Sequence, residues 1–360
     1  MSENKFGLIG SGWRAEFFIR IAQQVPEKFE LTSVLVRDKE KGEKFAKKHG
    51  VKVVQSLDEM MEDNPDYVVL SIKRGVITDY LIDLFKRNIP VLSETPPGES
   101  IESLEKLWNA YKKYNGKIQV AEQYLFQPLY ASWLKCIEDG KLGEIENMNI
   151  SALHGYHAVS IIRKYLDTGF DHCKIYGKRF HFDVTKTSGR EGIRYDGEIS
   201  SCSRDRLTFE FDNGKVAFFD FSGSSQYHSF IRTRQLTVQG VRGEIDDLTI
   251  RYLTSENVPV SQELNRIDLG KYHNQGWSHF GIMLGDQSLY KNPLGDVRLN
   301  DDEIAVATCM LKMEEYLRTG KDFYSLKDGL QDTYISLKMD EALNNPNQEV
   351  ETRHQVWSNE

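Results

Sequence analysis

The tightest constraint on this chain lies near its amino terminus, in Gly7-Leu8-Ile9-Gly10-Ser11-Gly12-Trp13-Arg14-Ala15. Phe6 to Ile9 reads as a short buried strand, Gly10-Ser11-Gly12 as a tight turn, and Trp13 to Gln24 as a helix presenting Phe17, Ile21 and Ala22 on one face. Gly10 permits the turn and Gly12 lets backbone approach a pyrophosphate. Ala15 lets helix and strand pack closely, and the helix amino terminus attracts negative charge. An ordinary buried strand-turn-helix has the same outline, so the next hundred residues decide between the two.

Those residues repeat one alternation. Phe29 to Val36 reads as a second strand, and Asp38 opens a helix with a solvated lysine face. Val51 to Val54 is a short strand, Ser56 caps a helix with Glu59 at the capping-box position, and Asp66 to Ser71 is another buried strand. Val76 to Arg87, Val91-Leu92, Ser100 to Tyr114 and Ile118 to Ala121 continue it. Apolar strands alternating with helices imply a parallel sheet covered on both faces, and with the glycine turn they imply dinucleotide binding.

Beyond Tyr124 the texture changes. Pro128 to Asp139 reads as a helix, Ile145 to Leu153 as a strand and Val159 to Leu166 as a helix. From Cys173 to Leu253 the period is two, with Asn213-Gly214 marking a hairpin. Segments 276–290, 301–318 and 326–343 read as helices covering one face of this sheet, and the stretch after Asn344 as disordered. The expected fold class is α/β: an amino-terminal Rossmann parallel sheet over 1–124, then an α+β domain over 125–344 with a large, mostly antiparallel open sheet, and a tail over 345–360. A length of 360 residues suits two domains of ordinary size.

Composition excludes some function classes. A net charge of -8 disfavours nucleic-acid binding through phosphate neutralisation. The sequence carries no secretory leader pattern and no apolar run of about 18 residues, so the expectation is a cytoplasmic protein without a membrane span. Cys136, Cys173, Cys202 and Cys309 lack C-x-x-C spacing and read as reduced thiols. Asp246-Asp247 reads as a turn and Asp301-Asp302-Glu303 as a helix start, so no metal site is expected.

The glycine turn, Val91-Leu92-Ser93-Glu94-Thr95-Pro96, Lys141-Leu142-Gly143-Glu144-Ile145 and Phe211-Asp212-Asn213-Gly214 together resemble the Gfo/Idh/MocA family of oxidoreductases. The likeness runs from about Lys5 to Leu343. It implies a Rossmann domain carrying NAD or NADP, an open-sheet domain holding a sugar, sugar acid or cyclitol, and a homo-oligomer, either dimer or tetramer. Two motif positions depart from the family. Glu94-Thr95-Pro96 stands where the family reads Glu-Lys-Pro, and Leu153 stands where it carries an Asp four residues before His157.

Oxidising a secondary alcohol leaves a proton to be removed, and threonine is no base at neutral pH. His157 is the surviving acid-base candidate, with helix packing as its ordinary alternative. Tyr124 could polarise a carbonyl, although an interface aromatic is the simpler reading. His273 and His279, flanking Trp277, are lesser substrate candidates. For the cofactor the candidates are Gly10, Ser11, Gly12, Trp13, Arg14, Arg37, Asp38, Ser71, Lys73, Glu94 and Gln123. Arg37 suits the 2′-phosphate of NADP and tips the balance slightly that way, while Asp38 keeps NAD open. Trp108, Tyr111 and Tyr114 follow helical spacing and read as packing. Net hydride transfer, transient oxidation serving elimination or epimerisation, and a non-catalytic binding protein all remain open.

Overall fold

The computed structural model describes residues 4–358. Its first sheet is built from β1 (Asn4–Ile9), β2 (Phe29–Leu35), β3 (Val53–Val54), β4 (Tyr67–Leu70), β5 (Val91–Ser93) and β6 (Ile118–Val120). The helices between them are α1 (Ala15–Gln24), α2 (Lys39–His49), α3 (Leu57–Glu62), α4 (Arg74–Lys86) and α5 (Ile101–Tyr114). The strand order is β3-β2-β1-β4-β5-β6, and every pairing is parallel. The order reverses between β1 and β4, the position at which open α/β sheets bind ligands.

Local chemistry sets these elements. Asp38 Oδ1 accepts from Lys41 N (2.8 Å) to start α2. Ser56 Oγ accepts from Glu59 N (3.2 Å) to start α3, while the Glu59 carboxylate reaches back to Gln55 N (2.9 Å). Trp108 is fully buried in α5 and stacks on Tyr111 at 5.2 Å, the packing role its spacing suggests.

A short 3-10 helix (Gln123–Phe126) leads to α6 (Pro128–Glu138), β7 (Ile145–Ser151) and α7 (Gly155–Tyr165). The next strands are β8 (Cys173–Thr185), β9 (Ser188–Gly189), β10 (Gly192–Ile193), β11 (Ile199–Phe211) and β12 (Val216–Phe221). After a one-turn α8 (Ser224–Tyr227) come β13 (Gln235–Gly240), β14 (Gly243–Asp246), β15 (Thr249–Leu253), β16 (Pro259–Lys271), β17 (Asn274–Leu284) and β18 (Gln287–Lys291). The chain ends with α9 (Asp301–Thr319), α10 (Leu326–Asn344) and β19 (Val350–Glu351). The second sheet has 11 strands, ordered β18-β17-β16-β15-β14-β13-β7-β12-β11-β8-β19. β7 and β12 run parallel; the β11–β12, β8–β11 and β7–β13 pairs are antiparallel. The expected Asn213-Gly214 hairpin joins β11 to β12, with Gly214 at φ 84°.

Two compact units emerge. One comprises 1–131, 266–282 and 290–330; the other comprises 132–265, 283–289 and 331–360. No helix among the described residues is long and apolar enough to cross a membrane.

Several expectations are corrected. Residues 276–290 form β17 and β18 and not a helix. Gly276, Gly281 and Gly285 each weaken a helix by about 1 kcal/mol, and Gly285 at φ 59° sits in the turn between the strands. α9 does not serve only as a cover for the second sheet, because it packs against α1 and β1: Asn4 Nδ2 donates to Met310 O (2.8 Å) and Arg20 pairs with Glu303 (2.6 Å). Its buried residues, among them Ile304, Ala305, Val306, Cys309 and Met310, surround the helix, so spacing alone names no partner. The segment after Asn344 is ordered through β19, which pairs with β8, and through Trp357, which is fully buried and donates Nε1 to Gln331 Oε1 (3.0 Å). α1 buries Phe18 and Ile19 with Ile21 and Ala22; Phe17 is only half-buried, with the Arg14 and Arg20 guanidiniums each 4.8 Å from its ring.

Candidate functional site

The glycine turn lies at the reversal of strand order. Ser71 N donates to Ile9 O (2.9 Å), bringing the ends of β1 and β4 together. Gly10 stands there at φ 133°, and a Cβ on it would lie 2.0 Å from Ser71 O. Only glycine fits. Gly12, two residues on, is exposed, and a Cβ there would meet nothing within 4 Å. Ala15 N donates to Gly12 O (3.0 Å), and Arg14, at the N-cap of α1, makes no side-chain cap. Gly12 thus stands open just ahead of the first turn of a ten-residue helix. Ser11 is half-buried beside it, and Trp13 is 52% exposed, edge-on to Phe17.

Arg14 and Glu94 are brought together. Arg14 Nε donates to Glu94 Oε1 at 2.7 Å, with both side chains largely buried. Burial opposes the guanidinium charge, yet Glu94, helped by Asp302 and Tyr124, holds Arg14 above its ordinary value. The ion pair ties the turn to the end of β5, where Thr95 comes directly after Glu94. Behind it lies α9, where burial first, then Glu94 and Glu122, push the Cys309 thiol well up, so it stays neutral. Gln127 Nε2 donates to Asp302 Oδ1 (2.7 Å) from the same helix.

At the end of β6, Gln123 is 4% exposed and its Oε1 is a buried acceptor without a hydrogen-bond partner. Tyr124 is equally buried, its ring edge-on to Tyr130 at 5.7 Å, and its N–H donates to Glu122 Oε1 (3.4 Å). At the end of β2, Arg37 is exposed with its guanidinium 5.6 Å from the Tyr80 ring, and the Asp38 carboxylate is engaged in capping α2. Lys73 is exposed at the N-cap of α4. No sequence motif marks Tyr80, and Asp302 is legible only as part of a helix start, because each lies in a helix far along the chain from the residue it meets.

His157 belongs to the other unit. α7 begins at Gly155, four residues earlier than expected, so His157 sits in its first turn. It is 6% exposed, packs against Tyr156 (4.3 Å between centroids) and His154 (5.1 Å), and its carbonyl accepts from Ser160 Oγ (2.8 Å). His273 occupies the β16–β17 turn at φ 63°. His279 is buried, its Nδ1 3.0 Å from Asp268 Oδ1 and its ring stacked on Tyr290. Among the described residues no three His, Cys, Asp or Glu side chains form a group able to hold a metal.

Residues 4–122 match the model of the Gfo/Idh/MocA group, described as an oxidoreductase family with an NAD-binding Rossmann fold. Over those residues this chain is similar to the Gfo/Idh/MocA oxidoreductase family. Its cofactor is a nicotinamide dinucleotide. YteT of Bacillus subtilis (strain 168), named as an oxidoreductase, is 25% identical over 112 residues; the match spans 31% of this chain and 26% of YteT. Similarity of fold extends over nearly the whole chain. An Agrobacterium radiobacter oxidoreductase in complex with NAD+, L-tartaric acid and magnesium superposes with a TM-score of 0.68 at 15% identity, covering 97% of this chain and 98% of that one. The scyllo-inositol dehydrogenase of Lactobacillus casei gives 0.67 at 16%, covering 98% and 99%. The aldose-aldose oxidoreductase of Caulobacter crescentus, complexed with glycerol, gives 0.63 at 16%, covering 97% and 99%.

The residues present fit that cofactor. The open side of Gly12 admits a pyrophosphate beside the start of α1. Gln123 Oε1, an orphaned acceptor, matches the donor of a carboxamide.

Proposed function

We propose that this chain is an NAD(P)-dependent oxidoreductase that moves a hydride to or from a sugar, sugar acid or cyclitol. The observation that carries the reading is the turn: Gly10 pressed onto Ser71 O, Gly12 open, and Arg14 clamped by Glu94. The printed activities and ligands of the structural relatives support the carbohydrate class.

The bound dinucleotide supplies the hydride acceptor or donor. The chain's own residues bind and orient it: Gly10, Ser11, Gly12, Trp13 and Ser71 at the pyrophosphate side, Glu94 and Gln123 at the nicotinamide side, Lys73 near the ribose. Arg37 reads the 2′-phosphate of NADP. Its guanidinium is steadied against Tyr80, whereas Asp38, the residue that could accept ribose hydroxyls, already accepts the Lys41 N–H. With threonine at position 95, His157 is the group that takes or returns the hydroxyl proton, and Tyr124 is a second polarising group. Exposed Tyr176, Phe180, Phe182 and Phe218 on the second sheet support assembly of like chains.

Thr95 also favours a second reading, in which oxidation is transient and the net result is elimination or epimerisation. Native mass spectrometry of the purified chain, with subsequent NADH and NADPH titration, tests the first requirement; absence of any dinucleotide binding refutes both readings. His157→Ala is expected to lower turnover at least about 10²-fold with nucleotide affinity unchanged. Unchanged turnover removes His157 from the chemistry.

A further inference from the structure

Three chain connections of the second unit meet at one edge of its sheet. β7 and β12 are parallel, so Ser151 and Phe221 finish at the same edge. β13 starts there, with Gln235 opposite Ser151. β8 and β11 run past Phe221, which pairs with Asp205, and exchange at Thr185 and Ile199. The connections 152–154, 186–198 and 222–234 are thereby gathered together, just ahead of α7 and His157.

Buried hydrogen bonds hold them. Gln226, 3% exposed, donates Nε2 to Ser151 O (2.9 Å), Ser151 Oγ (2.9 Å) and Thr233 O (2.7 Å), and its Oε1 accepts from Ser222 N (3.0 Å). Ser188 Oγ donates to His228 O, and Phe230 N donates to Thr187 Oγ1 (3.0 Å). These contacts give the loops a defined shape.

The charge on this edge is one-sided. From residue 221 to 243 the chain has no carboxylate, and none from 147 to 166, yet these stretches carry His154, His157, His228, Arg232 and Arg234. The acids on the facing connection are Glu191, Asp196 and Glu198; the last two are engaged by Arg194 and Lys186. The Arg234 guanidinium rests 5.0 Å from the Tyr227 ring, and Tyr227 in turn packs against His228 at 5.1 Å. Arg190 and Arg234 both act on His228, which burial first and then these two cations hold below its ordinary value. The Tyr227 ring steadies the Arg234 guanidinium, and His228 lies within the field of both Arg234 and Arg190; a guanidinium held in this way suits a carboxylate or phosphate.

We propose that this edge is an anion-recognition site, in which Arg234 and Arg190, with His228, grip a carboxylate or phosphate group carried by a sugar. That the sugar is the substrate rests on the oxidoreductase reading above; the site itself does not. Arg232, exposed on the same loop, adds to the field.

The test is calorimetric titration of the full chain, with NADPH present and absent. The charged probes are D-glucuronate, D-galactonate and D-glucose 6-phosphate, and the neutral ones are D-glucose and myo-inositol. At least one charged probe is expected to bind roughly tenfold or more tightly than its neutral counterpart, with affinity falling as salt is added. Whether the sugar acids or the sugar phosphate bind better identifies the anion. Arg234→Gln is expected to weaken the charged probe roughly tenfold to hundredfold and leave NADPH affinity unchanged. Arg190→Gln, on a different connection, gives a second reading should the first variant fold poorly. Equal affinity for neutral and charged probes, no binding of any charged probe, or full charged-probe affinity in both folded variants overturns the proposal. Charged-sugar binding without dinucleotide binding overturns the oxidoreductase reading and upholds this one.

Discussion

Gly10→Ala and Gly12→Asp lie two residues apart and are expected to fail for different reasons. At position 10 a side chain must adopt φ 133° and place its Cβ 2.0 Å from Ser71 O. The strained conformation costs about 1–3 kcal/mol and relief of the overlap about 1–3 kcal/mol more. The sum, about 2–6 kcal/mol, is a large part of a typical stability of about 5–15 kcal/mol. Position 12 has no neighbour within 4 Å and ordinary φ, so Gly12→Asp should change the stability of the free protein by no more than about 0.5 kcal/mol. With dinucleotide the order reverses. A carboxylate about 4 Å from a phosphate charge costs about 4 kcal/mol at an effective dielectric constant of about 20, or roughly 10³-fold in affinity. Urea unfolding of the free proteins gives the first quantity, and NADPH titration of the folded ones gives the second. Normal NADPH affinity in Gly12→Asp refutes the assignment of the turn, and wild-type stability in Gly10→Ala refutes its geometry.

Arg37→Ala should weaken NADPH binding roughly tenfold or more and leave NADH unchanged, and equal losses for both would remove Arg37 as the discriminating residue. Trp357→Ala should destabilise by about 3–5 kcal/mol, because the indole is fully buried and bonded to Gln331; an unchanged urea midpoint contradicts that packing. Burial raises the Asp268 carboxyl, but His279 and Arg266 outweigh it and hold it below the usual range. Its contribution to stability is therefore complete above the unfolded value of about 3.9 and is lost as pH falls through the lower folded value. The stability gap between wild type and Asp268→Asn should shrink on acidification, and a gap independent of pH would contradict the linkage.

The Rossmann sheet was legible because its signals are local. Glycine spacing, apolar strands and the caps at Asp38 and Ser56 act within a few residues, and the strand order comes from right-handed crossovers. The candidate cofactor residues are legible in the same way, since each ends a strand or opens a helix. Residues 276–290 defeat a local reading because a short apolar stretch suits either period, and the glycines that decide it act through cross-strand approach: a Cβ on Gly281 would lie 2.3 Å from Tyr290 O.

By itself, then, the sequence determined the two-part α/β architecture and the glycine turn. Tertiary structure alone decided that Arg14 meets Glu94 across 80 positions, that Tyr80 lies under Arg37, and that α9 packs on α1. It also gathered Arg190, His228 and Arg234 at one sheet edge. Hydrophobic and turn patterns repeat over a few residues and can be read along the chain; ion pairs, ring contacts and charge clusters exist only once distant segments share a surface.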